Sequence, residues 1–413
     1  MSQGLLSGYR ALDLTDHKGF VCGKILAALG IDVMKIEKPG GDPDRNIPPF
    51  YQDRKDPENS LYWAAFNTDK RSITLDIQSP QGQEIFKKLV KNVDFVLESH
   101  EPGFLDDLGL GYQSLCDINP RIILTSITPF GQTGPYAHYK GSELIVSAMG
   151  GVLLTNGDPD RPPVREGPDS NYFQSNAAAA AGTVLAHLYR EKTGQGQHVD
   201  VSQQEVAASR SPSNLLVWMF DKKLIHRSGN IRNVGARSTR QFWPCKDGAV
   251  FWMFAGGRER ASVNQALAQW MREVNFESPF LNISYWEAFD VIGLPKETIN
   301  LYQESIGRFF MKFTKKELAE EGVKRGVETC MANNPADILE YVQLRERHFW
   351  IDLEDPDGQK TLTNPKHFFL CNHTENYVRR RAPRIGENND DVYINELGLT
   401  SMDVAVLKEA GVI

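Results

Sequence analysis

Several common signatures are missing from this chain. Its five cysteines (Cys22, Cys116, Cys245, Cys330 and Cys371) are scattered and form no C-x-x-C pair, so they read as reduced thiols in a reducing compartment. Its nine histidines fall into no H-E-x-x-H or H-x-H pattern, and no metal site is expected. No run of about eighteen apolar residues occurs, and residues 1–14 lack a charged segment followed by an apolar one. A cytoplasmic protein without a membrane segment is therefore expected. A net charge of −7 over 413 residues speaks against general binding to nucleic acid. No G-x-G-x-x-G follows the first strand candidate and no G-x-x-x-x-G-K-[ST] occurs anywhere, which disfavours a nicotinamide cofactor or a P-loop nucleotide. Internal repeats and low-complexity tails are also missing.

What is present is a long alternation of two periodicities. "YRALDLT", "IDVMKIE", "RSITLDI", "VDFVLES" and "PRIILTSIT" read as strands, with helices over "GFVCGKILAALG", "SPQGQEIFKKLVKN" and "YQSLCDI" between them. In the second of these helices Ser79 offers an N-cap, Pro80 the first helical position, and Ile85, Phe86, Leu89 and Val90 an apolar face. Such alternation implies an α/β protein with a doubly wound, Rossmann-like parallel sheet, whose ligands sit at the carboxyl ends of the strands. An alanine-rich helix runs to about Arg190, and "TGQGQHVDVS" returns through a glycine turn, Gly194 and Gly196 taking conformations other residues avoid. The character then changes. "FWPCKDGAVFWMF" reads as a strand pair followed by amphipathic helices, a smaller α+β domain inserted into the larger one. The expected boundaries are 1–205 for the N-terminal part of the large domain, 206–227 for a linker, 228–325 for the small domain, and 326–413 for a linker and the C-terminal return. The last helix opens on the capping-box variant "TSMD".

Asp169, in "REGPDSNYFQSNAAAAAG", stands just ahead of the alanine-rich helix. An aspartate there is ordinarily an N-cap. Asn171 and Gln174 already supply a cap and its partner, so Asp169 is not required for that task. A carboxylate near a helix N-terminus stays ionised at neutral pH and can act as a nucleophile toward an activated acyl group. Ala177 to Ala181 leave the helix nearly flat, for tight packing on the sheet or for close approach of a ligand or another backbone. Lys38, Lys70, Arg71 and Lys140 lie near predicted strand ends, as a site for an extended phosphorylated ligand requires, although isolated lysines are ordinarily just solvated. Gly150, Gly151, Gly256 and Gly257 are turn glycines that could also present N–H donors to an oxyanion.

Taken jointly, "LGIDVMKIEKPGGDPDR", "FNTDKRSITLDIQSPQGQEIFKKLV", "NPRIILTSITPFGQTGP", "YREKTGQGQHVDVSQQE", "CKDGAV" and "PRIGENND" resemble the class III coenzyme A transferases over nearly the whole chain. That resemblance implies a large domain built from N- and C-terminal segments, a small inserted domain, and two ring-like subunits interlocked as a homodimer, with a hetero-oligomer left open. It implies transfer of coenzyme A from an acyl-CoA donor, succinyl-CoA for example, to a carboxylic acid by ping-pong chemistry, with Asp169 as the nucleophile that carries an aspartyl-CoA thioester. Coenzyme A and acyl-CoA are then substrates, and no cofactor is permanently bound. The coenzyme A contacts it implies are His17, Lys18, Lys38, the backbone of Ser72, Ile73, Thr74 and Leu75, Ser99, His100 and Lys140. The acyl-CoA racemases of similar fold add a histidine in a "GHD"-like motif. Here "KGSELI" puts Ser142 in its place, and two-base proton exchange loses a member. Asp107 stands where the formyl-CoA enzymes have arginine, and their glycine-rich loop is missing from "NVGARSTRQFWPCKDG", which argues against oxalate as acceptor. The aromatic group of Trp243, Phe251, Trp252 and Phe254 is either a site for a bulky acyl group or the core of the small domain.

Overall fold

The computed structural model describes residues 4–167, 169–234, 237–355, 358 and 360–413, and divides the chain into two compact units. The first takes the residues up to Leu153 together with Arg165–Leu224 and Gln343–Ile413. The second takes Leu154–Val164 and Ile225–Val342, against the 228–325 expected from sequence. Its extension has a plain cause: Cys330–Met331 pairs with residues 250 and 251, so part of the expected linker is sheet.

The first unit is built on β1 (Arg10–Leu14), α1 (Phe20–Ala28), β2 (Asp32–Glu37), α2 (Leu61–Phe66), β3 (Arg71–Thr74), α3 (Pro80–Val90), β4 (Phe95–Glu98), α4 (Phe104–Asp107), α5 (Tyr112–Ile118), β5 (Ile123–Thr128), α6 (Glu143–Met149), α7 (Ser170–Thr193), β6 (Gln197–Ser202), α8 (Gln203–Ser209) and α9 (Pro212–Asp221). The strands form one parallel sheet in the order β3-β2-β1-β4-β5-β6. That is the doubly wound order, with its reversal between β1 and β4. Every residue of β4 and β5 is buried, as strands covered on both faces must be. Local signals explain the helices: Ser79 Oγ accepts the Gly82 N–H at 3.0 Å, Pro80 sits in the first turn, and Ile85, Phe86, Leu89 and Val90 are buried.

Gly194 ends α7 in the left-handed region at φ 76°. Gly196 does not share that reason; a Cβ there would stand 1.9 Å from the Ile122 carbonyl oxygen, so the requirement is close approach of two backbones. Gly196→Ala should therefore lower stability by about 1–3 kcal/mol, read as a lower urea midpoint at unchanged slope.

Lys70 and Arg71 lie away from the strand-end cavity. The parallel sheet is entered at Arg71, so both lie at the amino ends of its strands, opposite the ligand end. Lys70 is buried and reaches Asp13 at 2.7 Å, the Phe20 carbonyl at 2.9 Å and Asn67 at 2.8 Å. Arg71 forks onto Asp32 at 2.9 and 2.6 Å and reaches Asp391 and Glu396. The edge of β3 is closed by the C-terminal segment: Asn388 accepts the Ser72 N–H at 3.0 Å and donates its own N–H to the Ser72 carbonyl, and Asn389 accepts the Thr74 N–H at 2.9 Å. An exposed parallel edge is thereby covered. The C-terminal helix Ser401–Glu409 is capped by Thr400 and Asp403 as a full box.

In the second unit β7 (Ile231–Val234) pairs antiparallel with β8 (Arg237–Arg240), and β9 (Phe242–Cys245), β10 (Gly248–Phe251) and β11 (Cys330–Met331) form an antiparallel sheet. Trp243, Trp252 and Phe254 are fully buried there, the Trp243 indole N–H donating to the Trp252 carbonyl at 2.8 Å. These aromatics are core rather than a substrate wall. Among the described residues no helix is long and apolar enough to cross a membrane.

Candidate active site

At the reversal of strand order, the carboxyl ends of β1 to β4 surround a cavity of about 260 Å³. Lys38, Leu75 and His100 line it, beside Asp16, Lys35 and Phe104. His17, Lys18 and Ser99 are outside that lining but on the loops that build it. Ser99 and Asp16 tie the β4 and β1 loops together: Ser99 Oγ accepts the Asp16 N–H and donates to its carboxylate, each at 2.8 Å. Lys18 is ion-paired with Asp16. The His17 ring lies 2.8 Å from Asp44, which also accepts its backbone N–H at 2.7 Å. Burial disfavours the charged ring, but Asp44 outweighs burial and raises the imidazole above its ordinary value. Ser72, Ile73 and Thr74 are buried in β3, where the N–H groups of Ser72 and Thr74 are taken by Asn388 and Asn389; Leu75 alone of that stretch reaches the cavity. Lys140 is exposed in the loop before α6, away from this lining.

Lys35 leaves no mark in the sequence, because a lysine inside an apolar strand carries no local sign of its partners. It is buried, donates to the Thr15 carbonyl at 2.6 Å and pairs with Asp42 at 3.1 Å. Asp16, His17 and Asp44 bring potential ligand atoms within 4.8 Å of one another, yet each is engaged as described above. A larger cavity of about 640 Å³ is lined in part by Trp63 and Ala64 of α2. It contains none of the expected site residues, and its Lys360 and Arg381 pair with Asp355 at 3.6 and 3.1 Å.

Asp169 occupies the N-cap position of α7, in the left-handed region at φ 61°, ψ 23°. Its side chain makes no capping bond. Aspartate tolerates this region better than most residues, and backbone held there is a recurrent feature of functional sites. Asn171 does not cap the helix either. It lies within the first turn, buried, donating to Ser147 and accepting from Arg210 at 3.0 Å, because the helix begins at Ser170, two residues earlier than a cap at 171 requires. The Tyr62 phenol on α2 lies beside the Asp169 carboxylate; burial and that carboxylate raise the phenol well above its ordinary value. Beside it the Phe66 ring meets Tyr62 at 4.6 Å and Phe173 at 5.2 Å. Nothing in the sequence links Tyr62 with Asp169, since the contact joins two elements distant along the chain.

The α7 helix is keyed to the cavity's loop. Asn176 donates to the Lys18 carbonyl at 2.6 Å and accepts the Cys22 N–H at 2.8 Å, and the Tyr172 ring contacts that of His17 at 5.8 Å. The alanines divide: Ala179 and Ala180 are buried in one cluster with Cys22, Leu26 and Ala27 of α1, whereas Ala177, Ala178 and Ala181 are exposed. Ser142 caps α6, accepting the Ile145 N–H at 3.5 Å. Glu143, buried, approaches Ser147 at 3.2 Å and the Asn171 N–H at 3.5 Å.

This is the layout of an α/β protein with a cavity at its strand ends and, on a helix fastened to the same loop, a carboxylate that makes no capping bond. Residues 6–389 match the family model described as CoA-transferase family III. The chain belongs to that family and is a CoA-transferase, acting on coenzyme A thioesters. It is 30% identical over 408 residues to the succinyl-CoA:(R)-benzylsuccinate CoA-transferase subunit BbsE of Thauera aromatica, covering 98% of each chain. It is 31% identical over 399 residues to the succinyl-CoA–D-citramalate CoA-transferase of Chloroflexus aurantiacus, covering 96% of this chain and 94% of that one. Among solved structures, a CAIB/BAIF family protein from Brucella suis superposes with a TM-score of 0.80 at 26% identity, over 96% of this chain and all of that one (100%).

Proposed function

We propose that the protein moves coenzyme A from succinyl-CoA to a second carboxylic acid through a thioester formed on Asp169. The Asp169 carboxylate attacks the thioester carbonyl; a C–O bond forms, the C–S bond breaks, and coenzyme A leaves as its thiolate, giving a mixed anhydride of the donor acid with Asp169. The thiolate then attacks the aspartyl carbonyl, expels the donor's carboxylate and leaves an aspartyl-CoA thioester. The acceptor acid runs the same steps in reverse, so no proton or electron is left over. Remote contacts at the strand ends, from Lys38, His100 and the loop of His17, Lys18 and Ser99, hold the nucleotide portion and direct its binding energy to alignment of the thioester.

The observation that carries this reading is Asp169 itself, at the head of α7, left-handed, without a capping bond, and facing the Tyr62 hydroxyl. Succinyl-CoA as donor is supported by the names of both relatives. A racemase reading has less support, because Ser142, where a second base would stand, is occupied as a helix cap. The proposed assembly is an interlocked homodimer. Its support is a set of apolar side chains left exposed on α7 and α9, among them Leu185, Leu188, Leu215, Trp218 and Phe220. Two relatives are named as subunits, which makes a hetero-oligomer the second reading.

The test is incubation with succinyl-CoA and mass spectrometry of the peptide holding Asp169. A coenzyme A adduct on that residue, discharged by the acceptor acid, is expected. Deuterium entering the alpha position from heavy water with no acceptor present would instead favour the racemase.

A further inference from the structure

We propose that Glu98 is a positioning residue for coenzyme A, its carboxylate holding the turn that sets His100 and Phe104 against the nucleotide end of the thioester. The inference rests on the coenzyme A reading of the strand-end cavity.

Glu98 is the last residue of β4, next to the reversal of strand order, and is 4% exposed. Its carboxylate accepts the His100 backbone N–H at 2.7 Å. The His100 ring lies on Phe104, centroids 4.4 Å apart, and both line the cavity at the strand ends. One side chain therefore anchors the turn from which this two-ring platform projects.

Glu98 also faces a second, smaller cavity of about 100 Å³, shared with Ser126 on β5 and His198 on β6. Ser126 Oγ lies 2.8 Å from His198 Nε2 and its hydroxyl reaches the Glu98 carboxyl. The charged and titratable groups around Glu98 are Asp16 from the β1 loop, Asp200 and His198 from β6, Glu101 and Asp106 from the turn and α4, and Tyr112 from α5. Among the described residues, no lysine or arginine lines this small cavity. Burial, with the negative Asp16 and Asp200, pushes the Glu98 carboxyl up to about 7, against the opposing hydrogen bonds from Ser126 and His100. Above that pH the bond to the His100 N–H is charge-assisted; below it the acceptor is a neutral acid, and such bonds are roughly half as strong. The platform is held on the alkaline side and loosened on the acid side.

The experiment compares wild type with Glu98→Gln, Ser126→Ala and Asp200→Asn between about pH 6 and pH 8.5, a span that brackets an ionisation near neutrality. It measures KM and kcat with succinyl-CoA and the dissociation constant of free coenzyme A. Taking the ratio of KM in Glu98→Gln to KM in wild type cancels any titration of the thioester's own phosphates. That ratio should be about five- to tenfold at the alkaline end and fall toward unity at the acid end, with kcat within about twofold. Ser126→Ala removes a bond to the carboxylate and should move the wild-type midpoint upward in pH. Asp200→Asn removes a repelling charge and should move it downward. Should Glu98→Gln fail to fold, these opposite shifts decide the matter alone. A KM ratio that stays constant with pH, a fall in kcat at unchanged KM, or midpoints unmoved by both neighbours would each overturn the proposal. Transfer through Asp169 with a flat KM ratio sinks the role of Glu98 and leaves the transferase reading intact; failure to bind coenzyme A at any pH sinks both.

Discussion

Asp169→Asn should reduce coenzyme A transfer by roughly 10⁴-fold or more, the scale on which loss of a covalent nucleophile acts. No adduct should appear on the peptide, and affinity for free coenzyme A should hold within about threefold, the usual scatter of a single contact. Asparagine is the informative replacement. The residue is left-handed at φ 61°, a conformation asparagine adopts readily, whereas alanine there carries a penalty of roughly 1–2 kcal/mol. Because Asp169 makes no capping bond, its carboxylate can be removed without unravelling the first turn of α7. Unchanged thermal unfolding beside lost transfer separates chemistry from folding. A variant that keeps near-normal turnover would show that the acyl group is carried elsewhere.

The second large effect concerns stability. Lys70→Met should destabilise the protein by about 3–5 kcal/mol, the cost of stranding one charge of a buried pair. Lys70 and Asp13 have fully buried side chains 2.7 Å apart. Burial alone would raise the Asp13 carboxyl, but the Lys70 and Lys35 ammonium groups outweigh it and hold it below the ordinary carboxylate range. A depressed carboxyl contributes stability that is present above its unfolded value, near about pH 3.9, and is lost as pH falls through the folded one. Without Lys70 the stranded carboxylate is relieved by protonation, so the gap between wild type and Lys70→Met should narrow toward acid. Asp13→Asn combined with Lys70→Met should recover much of the loss at neutral pH. Urea midpoints of the three variants across pH check this; additive losses would mean that the two groups are not coupled. Since Asp13 also accepts the Thr15 N–H at 2.9 Å, KM for the thioester should rise in Lys70→Met as well.

Much of the scaffold was open to reading because its causes are local. Strand and helix periods, the Ser79 cap with Pro80, and the box at Thr400 act within a few residues, and each appears at its expected place. The parallel, doubly wound sheet follows from their alternation. What misled the reading came from outside the local window. Asn171 looked like a cap but is drawn inward by Ser147 and Arg210. Lys70 and Arg71 looked like phosphate ligands until the direction of β3 put them at the far end of the sheet. The Tyr62 hydroxyl at Asp169, Lys35 beneath the cavity and Glu98 behind the His100 turn left no local sign, because their partners arrive from other strands and helices.

By itself the sequence determined the family, the fold class and the eligibility of Asp169, since these depend on residue order and on chemistry that a side chain carries with it. Only the tertiary structure decided which charges face the strand-end cavity and which are consumed as buried pairs, and what holds the turn that carries His100. Those outcomes depend on distances across the sheet and on the removal of water, and a carboxylate or an ammonium group acquires its strength, its partner and its role only when the other elements have closed around it.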